Sequence, residues 1–181
     1  MDICIDPGHG GSDPGAVNDE WELQEKDIVL DIGERLAVKL EEKGHHPVLT
    51  RGDDRFVSIR DRAAIANNHE TDIFVSIHTN SFTDPDAHGI ETLFWPSSTP
   101  GHKLADYTQR ELVDEFEWAN RGVKGRDDLG VLRHTAMPAI LAEIGFISNP
   151  DEVEVMQRAD FRRRAAEALL RGIESFQEGG E

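Results

Sequence analysis

The start of the chain reads Ile3-Cys4-Ile5-Asp6-Pro7-Gly8-His9-Gly10-Gly11, a short apolar run followed by a glycine-rich loop. An apolar run bounded by turn residues is typical of a buried strand. Glycine permits the tight turns and close backbone approach that such a loop needs. Apolar runs and helical patterns then alternate along the chain. This alternation predicts a single α/β domain with a mostly parallel central sheet of about six strands, flanked by helices.

The other elements are predicted from their apolar periodicity, which is short and continuous in buried strands and recurs every three or four residues in helices. After the first strand, Ile3–Asp6, the predicted strands are Pro47–Thr50, Asp72–His78, Gly89–Trp95 and Pro138–Ile144, with Gly130–Arg133 as an edge strand. The predicted helices are Leu23–Lys43, Val57–Asn68, Pro100–Phe116 and Phe161–Phe176. We expect one domain over residues 1–177 and a flexible tail over 178–181.

The charge of the chain restricts its partners. Among 181 residues, 36 are acidic and 19 basic, which gives a net charge of −17. Nucleic-acid binding requires clustered lysine and arginine, so this composition argues against a nucleic-acid partner and against direct binding to an anionic membrane. The apolar runs are too short to span a bilayer. The first residues lack the basic and apolar regions of a secretory signal, so we expect no signal peptide in this chain.

Polar side chains follow several of the predicted strands. His9 comes after the first strand, His78 ends the Asp72–His78 strand, Glu143 ends a later one, and Glu25 opens the first long helix. The carboxyl ends of parallel strands meet at one edge of a sheet, where ligand sites gather. Two imidazoles and one carboxylate make a typical three-ligand catalytic zinc site, and a further carboxylate can act as general base.

Each of these residues also has an ordinary explanation. A histidine at a strand end is more often a surface residue than a ligand, and a first-turn carboxylate such as Glu25 is favoured by the helix dipole. Glu143 is harder to explain, because a carboxylate in a buried apolar strand is costly to desolvate unless it is paired or functional. Asn80 and Arg62 are candidates to orient ligands or substrate, with capping or salt bridging as the alternative.

Five segments in order carry a family resemblance. They are Ile5-Asp6-Pro7-Gly8-His9-Gly10-Gly11, Glu25-Lys26-Asp27-Ile28-Val29-Leu30, Leu49-Thr50-Arg51, Val75-Ser76-Ile77-His78-Thr79-Asn80 and Leu141-Ala142-Glu143-Ile144-Gly145-Phe146-Ile147-Ser148-Asn149. Together they resemble the zinc-dependent N-acetylmuramoyl-L-alanine amidases of type 3, over nearly the whole chain. Five ordered segments are far more specific than one glycine loop that contains a histidine.

The resemblance implies that His9, Glu25 and His78 hold one zinc ion and that Glu143 is the catalytic carboxylate. Zinc lowers the pKa of water to about 7, and Glu143 would take the proton as the amide carbonyl is attacked. The implied reaction cleaves the amide bond between the lactyl group of N-acetylmuramic acid and the L-alanine of the stem peptide. The implied partner is therefore peptidoglycan or its muropeptides.

The resemblance also carries expectations about context. The short connection between His78 and the Gly89–Trp95 strand leaves no room for the regulatory helix that some family members insert, so we expect an open site that needs no activator. We expect a monomer that acts at the cell wall, outside the cell or in the periplasm. The lack of a signal peptide favours a phage endolysin or a processed catalytic domain, although autolysins of daughter-cell separation and spore walls use the same kind of domain.

Two alternatives stay open at this level. The first is another zinc-dependent wall hydrolase, either a stem-peptide carboxypeptidase or a sugar deacetylase, which zinc ligation alone does not separate from an amidase. The second is a noncatalytic wall-binding module that keeps the fold without the activity. The presence of all four polar residues argues against the second alternative, because loss of function usually leaves gaps in such a set.

Overall fold

The computed structural model describes residues 1–179. In chain order, the elements are β1 (Asp2–Pro7), β2 (Val17–Asn18), β3 (Leu23–Gln24), α1 (Glu25–Glu42), β4 (His46–Leu49), α2 (Ile59–Asn68), β5 (Ile73–Asn80), β6 (Ile90–Phe94), α3 (Thr99–Phe116), β7 (Asn120–Gly125), α4 (Gly130–His134), β8 (Ala139–Phe146), α5 (Pro150–Met156) and α6 (Ala159–Glu178).

Six strands form one sheet in the order β4-β1-β5-β8-β6-β7. The first four strands in that order are mutually parallel, whereas β6 is antiparallel to β8 and parallel to β7. The predicted six-strand, mostly parallel sheet is therefore confirmed. Because β6 is reversed, its first residues lie at the edge of the sheet where β5 and β8 end. The two short strands β2 and β3 pair separately as a small antiparallel ladder.

Both faces of the sheet are covered by helices. In β1, Ile3 and Ile5 join the larger apolar cluster, which packs against α1, α3 and α6, while Cys4 joins a smaller one that includes residues of α2 and α4. Successive side chains of a strand point to opposite faces, so a strand that is buried on both sides reads as a continuous apolar run. This burial is why the first strand was recognisable without an alternating pattern.

Helix α1 follows its sequence pattern closely. Ile28, Ile32, Leu36 and Leu40 are all buried, and they recur at the spacing of one helix face. The helix ends just before Gly44, which has a φ of 82°, a left-handed conformation that glycine adopts at little cost. The long first helix and its stop signal are thus as predicted, with a start two residues later than expected.

The predicted edge strand Gly130–Arg133 was wrong. These residues begin α4, a short helix whose Val131 and Leu132 are buried against α2 and the sheet. A short apolar pair does not distinguish a strand from one turn of helix, which explains the error. The edge strand next to β6 is β7, which was not predicted because Asn120–Gly125 is mostly polar and contains two glycines.

The end of the chain differs slightly from the expected domain and tail. Helix α5 was not predicted, and it begins after Asn149, whose side chain accepts hydrogen bonds from the backbone of Asp151 and Glu152 as an N-cap. Helix α6 continues to Glu178, so the predicted tail overlaps the helix by one residue. The rest of that tail, beyond Gly179, lies outside the described residues. Within residues 1–179, the helices are too short or too polar to cross a membrane.

We predict that Leu36→Ala lowers the free energy of unfolding by about 2–5 kcal/mol, because it removes a fully buried side chain and leaves a cavity. Val38→Ala is the matched control on the same helix. Since Val38 is 55% exposed, that change should alter stability by less than about 0.5 kcal/mol. Urea unfolding followed by circular dichroism measures both values, and equal losses in the two variants would contradict the assigned core face of α1.

Candidate metal centre

The loop after β1 places one imidazole close to another. His9 has a φ of 59°, a left-handed backbone conformation that is uncommon outside glycine. Gly8 lies directly under the ring of His78, and a Cβ atom at this position would stand 2.3 Å from its Cε1. Gly8 therefore needs to lack a side chain because the imidazole of His78 occupies that space. The two histidine rings meet edge to face, with their centroids 4.8 Å apart.

Glu25, the first residue of α1, lies between the two histidines. Its Oε1 is 2.9 Å from Nδ1 of His78, and its Oε2 is 3.1 Å from Nε2 of His9. The backbone N–H groups of Thr79 and Ala16 donate hydrogen bonds to the same two oxygens, each at 2.9 Å. The carboxylate is buried and each of its oxygens has a fixed partner, so its orientation is determined on both sides.

The ligand atoms of these three side chains all lie within 4.8 Å of one another. The other ring nitrogen of His9, Nδ1, is 2.9 Å from Oδ2 of Asp13. A carboxylate in this position favours a proton on Nδ1 and directs Nε2 toward a metal, as in many zinc sites. Sequence reasoning missed Asp13, although its position four residues after His9 in the same glycine-rich loop was a usable signal.

Charge within the cluster is strongly coupled. Burial raises the pKa of Glu25, but hydrogen bonds with His78 and His9 outweigh it and hold the pKa well below its usual range. Burial lowers the pKa of His9, but the bonds to Glu25 and Asp13 outweigh that effect and raise the pKa to about 9. A carboxylate that favours the charged form of its neighbouring imidazoles in this way could also hold a divalent cation, whose binding would displace the protons.

Glu143 lies next to the cluster on the neighbouring strand. It is opposite His78 in the parallel pairing of β5 with β8, so the two side chains project from the same face of the sheet. Burial raises the pKa of Glu143 to about 7, with the charge of His78 opposing the shift. Its Oε2 is buried and has no hydrogen-bond partner among the described residues. An unsatisfied carboxylate oxygen is costly, which points to a group that binds there.

Arg62 donates hydrogen bonds to the backbone of the loop after β1. Its Nη1 donates to Oδ1 of Asp6 and to the carbonyl of Pro7, both at 2.7 Å, and its Nη2 donates to the carbonyl of His9. Asp6 also accepts hydrogen bonds from the hydroxyls of Thr50 and Ser76. Arg62 therefore forms the salt bridge that was the alternative to a ligand- or substrate-orienting role, and that role stays a prediction. Through the His9 carbonyl, Arg62 also helps to hold His9 in its left-handed conformation.

A second buried arginine holds the same loop. Arg51 is fully buried, and it donates to the carbonyls of Pro7 at 3.0 Å, Gly8 at 2.7 Å and Lys26 at 2.8 Å. It therefore ties the loop to the first turn of α1, which carries Glu25. The segment Leu49-Thr50-Arg51 was recognised in the sequence, but no role was assigned to it.

Asn80 lies at the end of β5, outside the ligand cluster. Its Nδ2 donates to Oε1 of Glu91 at 3.3 Å, and its carbonyl accepts from the backbone of Ile147. Glu91 is opposite Glu143 in the antiparallel pairing of β6 with β8. Glu91 was not predicted from the sequence, because site residues are expected at the carboxyl ends of strands, whereas β6 is reversed and brings its first residues to that edge.

A cavity of about 270 Å³ opens beside the cluster, between the sheet and the α2–α4 layer. Its polar lining consists of Asp6, His9, Asp13, Arg62 and His78, so the candidate Arg62 also borders this cavity. Its apolar walls are Phe56, Val57, Ile59, Leu129, Val131 and Leu141. A concave apolar site with a few convergent polar groups is the usual form of a small-molecule or substrate site.

Comparison with known proteins finds the same combination of fold and motifs elsewhere. A family model described as N-acetylmuramoyl-L-alanine amidase matches residues 3–175. The uncharacterized protein YqiI of Bacillus subtilis is 39% identical over 176 residues, which cover 96% of this chain and 84% of that protein. The N-acetylmuramoyl-L-alanine amidase LytC of the same organism is 34% identical over 96% of this chain, but the match spans only 35% of its own length.

Solved structures are similar over nearly the full chain. An N-acetylmuramoyl-L-alanine amidase from Clostridium difficile 630 superimposes with a TM-score of 0.94 at 37% identity, covering 99% of this chain and 98% of that one. The catalytic domain of the amidase CwlV from Bacillus (Paenibacillus) polymyxa gives a TM-score of 0.92 at 30% identity, with 98% of each chain covered.

We predict that Arg62→Met lowers the free energy of unfolding by about 3–5 kcal/mol, because it leaves the buried carboxylate of Asp6 without its cation. Arg60→Met is the matched control, since Arg60 is an exposed residue of the same helix and its replacement should cost less than about 0.5 kcal/mol. Adding Asp6→Asn to Arg62→Met should recover part of the loss. Urea unfolding measures all three, and similar stabilities of the Arg62 and Arg60 variants would refute the role of the buried pair.

Proposed function

The chain belongs to the N-acetylmuramoyl-L-alanine amidase family of peptidoglycan hydrolases, and from that premise we propose that it cleaves the amide bond between the lactyl group of N-acetylmuramic acid and the stem-peptide L-alanine. The observation that carries this proposal is the cluster of His9, Glu25 and His78 beside the unpartnered oxygen of Glu143. Family membership favours this reaction over those of a carboxypeptidase or a sugar deacetylase.

The proposed cofactor is one zinc ion held by His9, Glu25 and His78. Two imidazoles with one carboxylate are a common catalytic zinc set that leaves a fourth position open. The two histidines contact different oxygens of Glu25, at 2.9 Å and 3.1 Å. One ligand atom from each of the three side chains lies within 4.8 Å of the others, so the three side chains are close enough to converge on one ion.

When bound, zinc supplies Lewis acidity, which makes water more acidic and stabilises negative charge on the carbonyl oxygen. The chain itself must then move protons. Oε2 of Glu143 is free to accept a hydrogen bond, and a pKa raised to about 7 suits a group that first takes a proton and later returns it. We assign Glu143 the removal of the proton from water and its delivery to the departing L-alanine nitrogen, which leaves poorly unless protonated.

The remaining expectations about context are also part of the proposal. The connection between β5 and β6 covers residues 81–89, which leaves little length for an inserted regulatory helix, and we propose that the protein needs no activator. One similar structure is the CwlD amidase of Clostridioides difficile in complex with the GerS lipoprotein, so partner binding does occur in a relative. We further propose a monomer that acts at the cell wall.

The reaction is tested by incubating the purified protein, without any added partner, on muropeptides of defined structure. With zinc, we expect free stem peptide that begins with L-alanine and an intact glycan, because only the lactyl amide is cleaved. Removal of the metal by a chelator should abolish the release, and zinc should restore it. Mass spectrometry identifies the products. Acetate or a shortened stem peptide would instead indicate the deacetylase or carboxypeptidase, and intact muropeptides would indicate a binding module.

We predict that Glu143→Gln lowers the hydrolysis rate by about a hundredfold or more, because the amide cannot accept the proton from water. Zinc affinity should stay within about twofold of the wild type, since Glu143 is not one of the proposed ligands. Isothermal titration with zinc and product analysis measure the two effects separately. The control is Glu154→Gln, an exposed carboxylate on α5 whose loss should change neither quantity.

His78→Ala provides the contrasting case. It removes a proposed ligand, so zinc affinity and hydrolysis should be lost together, whereas Glu143→Gln should lose hydrolysis alone. If Glu143→Gln hydrolyses muropeptides at nearly the wild-type rate, the catalytic role of Glu143 is refuted. If His78→Ala binds zinc as tightly as the wild type, the ligand set is refuted.

A further inference from the structure

A positively charged group lies on β7, three strands beyond β5, which carries His78 of the metal centre. Glu91 of β6 is only 7% exposed, and its Oε2 accepts hydrogen bonds from both Nε of Arg121, at 3.1 Å, and Nζ of Lys124. Its other oxygen accepts the bond from Asn80. One buried carboxylate therefore holds two cations on β7, one of the two edge strands of the sheet. We refer to Glu91, Arg121 and Lys124 as the β7 cationic site.

A bulge in β7 helps to form this site. The register pairs Ile90 with Asn120 but Glu91 with Gly122, so Arg121 is an extra residue without a partner on β6. Gly122 follows with a φ of 80°, which favours glycine. Bulges of this kind re-aim a side chain and are common next to active sites. The guanidinium of Arg121 also lies 4.9 Å from the ring centre of Phe146, which limits its movement.

The β7 cationic site has an excess of positive charge and has N–H donors that no acceptor within residues 1–179 uses. Among Glu91, Arg121 and Lys124, two cations against one carboxylate leave an excess of +1, in a chain whose net charge is −17, and the carboxyl group of Glu152 also interacts with Arg121. Arg121 uses Nε on Glu91 and Nη1 on the carbonyl of His88, and its Nη2 donates to no group within residues 1–179. Lys124 has three N–H donors and uses one on Glu91. Both side chains are about two-fifths exposed, so an anion in solution can reach them.

The position of the site relative to the scissile bond follows from the sheet register. His78, Glu143 and Glu91 lie side by side across β5, β8 and β6, on one face of the sheet. In the proposed reaction the acyl carbon lies at the metal ligands and the departing nitrogen at Glu143. We infer that the released peptide extends from Glu143 away from His9, toward β6 and β7, because the cavity next to His9 then accommodates the sugar-bearing part.

We propose that Arg121 and Lys124 bind a free carboxylate of the stem peptide, within its first two residues after the scissile nitrogen, and so make the site selective for acidic over amidated stems. This inference rests on the proposed amidase function. Adjacent strands are about 4.8 Å apart, which places β7 about 10 Å from β8. Two extended residues reach about 7 Å, and the side chains of Arg121 and Lys124 extend back to Glu91 and cover the difference.

The test compares two muropeptides that differ only in the α-carboxyl group of the second stem residue, which is either a free carboxylate or a carboxamide. For the zinc-loaded wild type, we expect kcat/KM to be at least about tenfold higher for the carboxylate, the size of a charge-assisted hydrogen bond. Lys124→Gln and Arg121→Gln should each reduce this ratio at least threefold, mainly through KM for the carboxylate substrate, with little change for the carboxamide. Each variant leaves Glu91 paired with the other cation, so the fold should persist.

Lys39→Gln is the matched control, because Lys39 is also paired with a glutamate but lies on α1, across the sheet. It should keep the wild-type ratio. If one variant keeps the wild-type ratio of kcat/KM between the carboxylate and carboxamide substrates, the replaced residue is not part of the carboxylate site. If both variants keep that ratio, or if the wild-type ratio is near one, the proposal is overturned.

A binding measurement separates this proposal from the amidase function. Calorimetry with the two free stem peptides, one acidic and one amidated, requires no hydrolysis. If the wild type binds the acidic peptide more tightly, and Lys124→Gln and Arg121→Gln weaken that binding, the carboxylate site is supported. This holds even if neither muropeptide is cleaved, because the absence of cleavage would refute only the proposed reaction. Equal binding of both peptides by the wild type overturns the carboxylate site.

Discussion

The arrangement of the site depends on how the buried charge of Glu25 is compensated. A carboxylate out of contact with water is costly unless its oxygens are all satisfied, and here two imidazoles and two backbone N–H groups share the task. Those four groups come from the loop between β1 and β2, which carries His9 and Ala16, and from the end of β5, which carries His78 and Thr79. One charge therefore fixes the relative positions of this loop, the end of β5 and the start of α1, and the histidines converge as a consequence.

Two buried arginines hold the loop that carries His9. Arg51 and Arg62 donate to successive backbone carbonyls of that loop, and Arg62 is itself paired with the buried Asp6. Every residue has a backbone carbonyl, so these contacts cannot be recognised from the sequence of the loop. The hydrogen bonds from the guanidinium groups nevertheless remove the conformational freedom that a glycine-rich loop would otherwise have. A flexible sequence thus becomes a rigid support for a residue in a left-handed conformation, which suits a site that has to present its ligands in one geometry.

Strand register places further charged groups beside the His9, Glu25 and His78 cluster. His78, Glu143 and Glu91 occupy adjacent strands at matched positions, and the bulge in β7 adds Arg121 beside them. Cations and carboxylates consequently follow one another across the sheet, from the cluster to the edge strand. The reversed direction of β6 makes this possible, since a parallel strand in its place would bring its last residues, and not Glu91, to this edge.

The sequence by itself determined the α/β class and the motif residues His9, Glu25, His78 and Glu143, because apolar periodicity and local glycine and histidine patterns are short-range signals. It did not determine β7, which has too few apolar residues to stand out, or α4, whose apolar pair also suits a strand. Only the tertiary structure decided that Asp13 orients His9, that Arg51 and Arg62 hold the loop, and that Glu91 lies beside Glu143. These contacts depend on strand order, strand direction and register, which arise from packing between distant segments and leave no local pattern in the chain.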